Sequence, residues 1–291
     1  MEPTIPTQPQ APLPVQKNTN QWLIPLSIVI AGVFIGGGIF GALVVTRNSA
    51  AAVATAVKRA PNPHLEKNLK PVTPQDHITG STSAPITIVE YSDTDCYYCN
   101  QFRPTLENIM TTYGPTGKVA WVYRHFNTGI PAHPHTLIEA EATECVAQLG
   151  GNDAFWKYLH LLFSKKDFKV QPAKLINPTQ LPALAASIGI NKAQFSQCLN
   201  SHTYTAKVNQ DTKDIKAAGG NGTPYSFIIS KAPISKELND LISGVNEQFT
   251  GQSPSAPDIL YTSTDNHIIV VTGALPADLM TQIIDLLLKS N

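Results

Sequence analysis

The sequence predicts a mixed α/β domain, preceded by a single N-terminal transmembrane helix. In that domain a strand–helix–strand unit, a block of helices and a strand–strand–helix unit follow one another. Three observations carry this reading. The run Ile86-Thr87-Ile88-Val89-Glu90-Tyr91 has the β-branched, apolar character of a buried strand and leads into Cys96-Tyr97-Tyr98-Cys99. Directly after Cys99 the apolar positions change to helical spacing, at Phe102, Leu106, Ile109, Met110 and Tyr113. Near the N-terminus, residues 23–46 are 24 positions without a charge, enough to cross a hydrocarbon core of about 30 Å.

Residues 1–21 carry Pro3, Pro6, Pro9, Pro12 and Pro14 among polar filler, cannot form a core and read as a disordered tail. Residues 22–46 read as the membrane anchor, with Trp22 suited to one interface, Arg47 to the other, and two G-x-x-x-G spacings among Gly32, Gly36, Gly37, Gly38 and Gly41. The anchor would place the protein against membrane lipid. A cleaved signal peptide competes with it, but the preceding segment is long and proline-rich with a single lysine. Lys17 before the span against Arg47, Lys58 and Arg59 after it favours a cytoplasmic C-terminus by the positive-inside count. Residues 47–83 read as a flexible tether with Pro61, Pro63, Pro71 and Pro74, reaching on the order of 30–35 Å.

The folded domain is expected over residues 84–291. After the strand at 86–91 and the cysteine helix, a second strand covers 118–126, with Val119, Trp121, Val122 and Tyr123. Helices are expected at 135–149, 153–163, 179–188 (ended by Gly189), 192–199 and 204–218. Strand character returns at 225–230 and 267–272, and a helix at 276–289 closes the chain. This order is that of a thioredoxin fold with an inserted helical subdomain at about 134–218. Between the last two strands, about 231–266, a hairpin has grown to include an amphipathic stripe (Ile234, Leu238, Leu241, Ile242, Val245, Phe249) and a Gly/Ser/Pro-rich stretch at 251–257. That extension should lie away from the cysteines, covering a sheet end or meeting a partner.

Of 291 residues 14% are charged and the formal net charge is zero, so binding to nucleic acid through a basic field has no support. The chemistry lies in the cysteines. Cys96 falls at a helix start, where unpaired N–H groups and the positive end of the helix dipole favour a thiolate, the species that attacks in disulfide exchange. Two intervening residues let Cys99 reach it across one turn. A structural zinc site also uses C-x-x-C, but it needs two further ligands, and Cys145 and Cys198 stand far from the motif and from each other.

Glu90-Tyr91-Ser92-Asp93 leads into the C-x-x-C, and Pro104 sits five residues past Cys99. Phe155-Trp156-Lys157-Tyr158, Leu161-Leu162-Phe163, the 185–199 segment, Gly222-Thr223-Pro224 and Gly273-Ala274-Leu275-Pro276 follow. These motifs, in order over about residues 78–288, resemble the DsbA-like thiol:disulfide oxidoreductases. The resemblance implies that Cys96 is the nucleophile and Cys99 the resolving thiol. It implies that Tyr97 and Tyr98 tune the reduction potential, and that Thr223 precedes a cis Pro224 and contacts substrate. Glu90 would relay protons to Cys99. Solvated loop acids are the alternative for Glu90 and for Asp93, and Asp95 would by simple electrostatics oppose the thiolate. Without an imidazole in the dipeptide, the thiolate should depend on the helix terminus and local N–H groups, giving a less extreme oxidant. The resemblance also implies a Cys145–Cys198 disulfide, with two buried free thiols as the alternative. Such a bridge points to an oxidising compartment, against the positive-inside count.

No cofactor is expected, and no metal: His133-Pro134-His135 could bind copper or zinc, but turn and cap histidines are the commoner case. The implied function is an extracytoplasmic, single-pass membrane enzyme that exchanges disulfides with exported cysteine-containing proteins, in the oxidising direction. A quinone-linked membrane protein would reoxidise it. The alternatives are a thiol module for copper or haem maturation, and a reductase or isomerase.

Overall fold

The computed structural model describes residues 64–250 and 258–290. The expected tail, membrane span and first part of the tether, and the 251–257 stretch, lie outside the described residues. Among the described residues no helix is long and apolar enough to cross a membrane.

The strands are β1 (His77–Gly80), β2 (Ile86–Ser92), β3 (Val119–His125), β4 (Tyr225–Ser230), β5 (Leu260–Thr262) and β6 (Ile268–Thr272). The helices are α1 (Tyr97–Tyr113), α2 (Thr136–Ser164), α3 (Leu181–Ser187), α4 (Lys192–Asn200), α5 (Thr205–Ala217), α6 (Lys236–Thr250) and α7 (Ala277–Ser290). One six-stranded sheet runs in the order β1-β3-β2-β4-β6-β5. The β2–β3 pair is parallel, which requires the crossover that α1 supplies, and every other pair is antiparallel.

Alternation along β2 sets out the two faces of the sheet. Ile86 and Ile88 pack with Phe102, Leu106 and Ile109 of α1, whereas Val89 and Tyr91 join Phe227, Val270 and Ile215 on the other side. By the same period of two, Glu90 points to the face that α1 covers. The inserted helices have their own core, built on Tyr158, Leu162, Leu181, Phe195 and Leu199. A smaller cluster of Cys96, Cys99, Tyr123, Phe155, Leu159 and Phe163 joins that insert to the sheet.

The helices expected at 135–149 and 153–163 are both present, joined as α2 across a kink at Gly151, whose φ of 79° is left-handed and suits glycine. Two features depart from the sequence reading. The tether expected over 47–83 ends early: residues 65–68 form a 3₁₀ turn and β1 pairs with β3. The segment is held by polar contacts rather than an apolar stripe, which is why hydrophobic periodicity passed over it. Arg124 donates to both Asp76 carboxylate oxygens, at 2.7 and 3.0 Å, and the His77 ring stacks on Phe155 with centroids 3.6 Å apart. The extension at 231–266 is built into the domain: Ile234, Leu238 and Ile242 are buried in the main core, and β5 adds an edge strand. It leaves β4 at Ser230, the end of that strand remote from Pro224.

Glu144 ties β1, β3 and α5 to α2. Its Oε1 accepts from His77 Nε2 (2.9 Å), His125 Nε2 (3.0 Å) and Lys207 Nζ (2.8 Å). Burial would raise its pKa, but the two imidazoles and the ammonium outweigh burial and hold it far below the carboxylate range. A depressed folded pKa gives stability that is present above the unfolded value and lost as pH falls. Glu144→Gln should therefore lower stability at pH 7 by about 3 kcal/mol and flatten its decline below about pH 4. Urea unfolding across pH 3–7 checks this, and a parallel acid profile for the variant would show that Glu144 is not the group responsible.

Cys145 of α2 and Cys198 of α4 form a disulfide, S–S 2.03 Å and Cα–Cα 5.9 Å, across a sequence separation of 53. Closing a loop of that length removes about 4 kcal/mol of chain entropy from the unfolded state. Cys145→Ser with Cys198→Ser should lower unfolding stability by up to that amount while both active thiols remain, as urea titration under matched redox conditions would show.

Candidate active site

Strand β2 ends at Ser92, and the next four residues turn the chain into α1: Cys96 N–H donates to the Asp93 carbonyl at 3.1 Å, and Cys96 caps the helix in an extended conformation. The apolar Phe102-Leu106-Ile109 face of α1 fixes the helix against the sheet and so fixes the height of both sulfurs. Cys96 is 4% exposed and Cys99 0%, both as free thiols. The Asp93 N–H donates to Cys99 Sγ at 3.5 Å, and Cys96 Sγ lies 3.4 Å from the Thr223 carbonyl. Thr223–Pro224 is a cis peptide, and the Pro224 carbonyl accepts from Gly273 N–H at 2.9 Å. The structure therefore brings together Cys96, Cys99 and Thr223-Pro224, which are 124 or more residues apart in sequence for the second pair relative to Cys99.

The two thiols have opposite electrostatics. The Cys99 hydrogen bond to the Cys96 sulfur, the Cys99 backbone N–H and the His133 charge bring Cys96 down to about 6, against the opposing effect of burial. A Thr223 hydrogen bond adds to the lowering. Burial, and then the neighbouring Cys96, push Cys99 well above the ordinary thiol range. Near neutral pH the outer sulfur is thus a thiolate and the inner one a thiol.

Three carboxylates surround the pair, and each is buried, so the solvated-loop alternative for Glu90 and Asp93 does not hold. Glu90 accepts from Trp121 Nε1 at 3.1 Å, and its burial on the α1 side raises its pKa to about 7. Asp93 accepts from His133 Nδ1 (2.8 Å), Thr136 Oγ1 (2.6 Å), Thr128 Oγ1 (3.2 Å) and the Asp95 N–H (2.8 Å). Asp95 does not act on Cys96 as a free charge. Its Oδ1 takes Lys166 Nζ at 2.7 Å and its Oδ2 takes the His135 N–H at 2.7 Å. The same ammonium also holds the Thr94 carbonyl and Glu139 Oε2. Asp95, His135 and Glu139 bring donor atoms within 4.8 Å of one another, but Lys166 is bonded to both carboxylates where a cation would sit.

His133, Lys166 and Glu139 had no signal in the motif. They come from the loop before α2, from α2 itself and from the residues after it, and only the fold places them beside Cys96. His133 corrects the expectation that the thiolate depends on the helix terminus and local N–H groups alone. Burial works against its protonation, but the Asp93 hydrogen bond and charge outweigh burial and raise its pKa. An imidazolium is therefore available from outside the dipeptide. His133→Ala should return the Cys96 pKa toward the ordinary thiol range and slow alkylation by iodoacetamide at pH 6–7 several-fold. An unchanged alkylation pH profile would remove His133 from this role. Tyr97 and Tyr98 are exposed beside the sulfurs, with Tyr97 edge-on to Phe168 at 6.0 Å between centroids.

A family model, Thioredoxin_4, described as thioredoxin, matches residues 72–241, more than half of the chain. Curated relatives include the Na(+)/H(+) antiporter NhaA 3 of Salinispora tropica, 31% identical over 159 residues, 54% of this chain and 22% of that protein. Another is Na(+)/H(+) antiporter NhaA 1 of Mycolicibacterium gilvum, 30% identical over 174 residues, 59% of this chain and 26% of that protein. The chain thus spans about a quarter of the length of the curated relatives it matches. Among solved structures, alpha-DsbA1 of Wolbachia pipientis aligns with a TM-score of 0.54 at 23% identity, over 77% of this chain and 96% of that one. BcfH of Salmonella enterica Typhimurium aligns with a TM-score of 0.54 at 13% identity, over 90% and 94%. At these identities the likeness is one of fold. With the family match, the parallel β2–β3 unit around α1 and the helical insert, the chain belongs to the thioredoxin family and has the DsbA-like form of its fold.

Proposed function

We propose that this protein is an extracytoplasmic thiol:disulfide oxidoreductase acting as an oxidase on exported cysteine-containing proteins. The observation that carries the reading is the polarised pair: a Cys96 thiol lowered to about 6 at a helix start, over a fully buried Cys99. A stabilised thiolate favours the reduced form, so the Cys96–Cys99 disulfide is a better oxidant. In the forward reaction a substrate thiolate attacks Cys96 of that disulfide, forming a mixed disulfide and releasing Cys99 as a thiolate. A second substrate thiolate then attacks the substrate sulfur of the mixed disulfide. Substrate leaves oxidised by two electrons, and the protein is left as the dithiol.

The Cys145–Cys198 disulfide supports an oxidising compartment. With the uncharged stretch at 23–46 as an anchor in membrane lipid, the domain would work tethered to the cell membrane on its outer face. A quinone-linked membrane protein is the proposed reoxidant. Equilibrium titration of Cys96–Cys99 against glutathione tests direction. A potential near −180 mV or above supports an oxidase, whereas one near −270 mV overturns it in favour of a reductase. Stoichiometric copper(I) binding that protects both thiols, with no disulfide transfer to a reduced peptide, would favour the metal-delivery alternative instead.

A further inference from the structure

We propose that the Ser92 hydroxyl is a catalytic group that passes the proton between Cys99 and Glu90 during exchange. The inference rests on the exchange function proposed above and names the route by which a buried acid serves a buried thiol. Strand β2 places the group. Ile86, Ile88, Glu90 and Ser92 follow one another at a period of two, so Ser92 shares with Glu90 the face that α1 covers. The register puts Tyr123 of β3 and Ser226 of β4 directly beside Glu90. All four of these polar side chains are buried. The next residue, Asp93, donates its N–H to Cys99 Sγ at 3.5 Å, which sets the inner sulfur over the end of β2.

Carboxylate and sulfur do not meet directly. Glu90 Oε2 accepts from Trp121 Nε1, Cys99 Sγ accepts from the Asp93 N–H, and among the described residues no hydrogen bond joins the two groups. Ser92 is the hydroxyl that acts on both. Burial raises the pKa of Glu90 and of Cys99, and the Ser92 hydroxyl opposes that rise in each by stabilising the charged form. Yet Ser92 Oγ is enclosed and has no partner at full hydrogen-bonding geometry. A buried hydroxyl in that condition costs folding stability and calls for a reason. A loosely held hydroxyl between an acid and a thiol has one: it both donates and accepts, and it can turn toward whichever neighbour carries the negative charge.

The step balances. When Cys99 resolves a mixed disulfide, its S–H bond breaks and the proton goes to Ser92 Oγ, while the Ser92 O–H proton goes to a Glu90 oxygen. Glu90 becomes the acid and Ser92 is unchanged. The Cys99 electron pair forms the bond to Cys96 Sγ as the bond from Cys96 to the substrate sulfur breaks, and that sulfur leaves as a thiolate. When a substrate thiolate opens the Cys96–Cys99 disulfide, the same path runs in reverse and returns the Glu90 proton to the departing Cys99 sulfur. The two proton transfers are concerted, because neither a serine alkoxide nor a protonated hydroxyl is accessible near neutrality.

The test mixes reduced protein with an oxidised peptide and follows formation and decay of the Cys96 mixed disulfide by acid quench across pH 5–9. Ser92→Ala should slow the decay near pH 7 by about tenfold or more, with formation much less affected. Ser92→Thr, which keeps the hydroxyl, should recover most of the lost rate. Glu90→Gln combined with Ser92→Ala should be no slower than Glu90→Gln alone, because the two groups lie on one path. Decay of Ser92→Ala at the wild-type rate would overturn the relay while leaving disulfide exchange intact. So would a double variant slowed by the product of the two single effects, or an equal loss in the alanine and threonine variants. Absence of any mixed disulfide with the wild-type protein would instead overturn the oxidoreductase reading, and the relay with it.

Discussion

Cys99→Ala is expected to stop the reaction at a covalent adduct on Cys96. In the variant the Cys96 thiolate attacks the disulfide of an oxidised peptide, bonding one substrate sulfur and releasing the other as a thiolate. In the proposed reaction the wild-type Cys99, held one turn inside α1, attacks Cys96 and expels the substrate. An intramolecular thiol acts at an effective concentration far above that of any free thiol, so the adduct should persist about a thousandfold longer in the variant. The same substitution should slow adduct formation at neutral pH, because the Cys99 hydrogen bond is the largest of the effects that lower the Cys96 pKa. Cys96→Ala should form no adduct at all: Cys99 is 0% exposed, and its thiol is held protonated by burial. Non-reducing electrophoresis with intact mass measurement separates the cases. An adduct on Cys99 in the Cys96→Ala protein would reverse the assigned roles.

How much of this was readable before the fold was known divides by the kind of force involved. The strand into Cys96, the α1 face and the segments at 225–230 and 192–199 were legible because apolar periodicity places them, and the structure gives β4 and α4 there. Strand β1 was not, since Asp76 and His77 are polar residues whose partners, Arg124 and Glu144, are 48 and 67 residues away. The site divides in the same way. Cys96, Cys99, Glu90 and Thr223-Pro224 belong to local motifs with readable spacing. The His133–Asp93 pair spans 40 residues and Lys166–Asp95 spans 71, and no local pattern marks either. Asp95 illustrates the consequence: beside Cys96 in sequence it reads as a charge opposing the thiolate, and the fold pairs that charge with Lys166, just past the end of α2.

Glu90→Gln should make the protein more stable at alkaline pH and at the same time slow its turnover. The carboxylate is wholly buried, and burial raises its pKa from the ordinary 4.5 to about 7. A raised folded pKa means that the native state binds this proton more tightly than the unfolded chain. Its contribution is fully present below about pH 4.5, is lost as pH rises toward 7, and above 7 the buried charge is a standing cost. A shift of that size corresponds to on the order of 3 kcal/mol. The glutamine variant should therefore show little change in stability between pH 5 and 8, where the wild-type protein loses that amount. The kinetic effect has the opposite sign. Cys99 must lose a proton before it can attack, its thiol is held above the ordinary range, and Glu90 is a carboxylate near neutrality on the same face of the sheet. Removing such a base typically costs about a hundredfold or more in the step it serves. Single-turnover decay of the Cys96 mixed disulfide should be slower in Glu90→Gln and should lose its inflection near pH 7, while formation of that disulfide is far less affected. A variant with a flattened stability profile but unchanged decay would leave Glu90 as a buried acid with no part in the exchange. A variant with slower decay but an unchanged stability profile would mean that some other group titrates near 7.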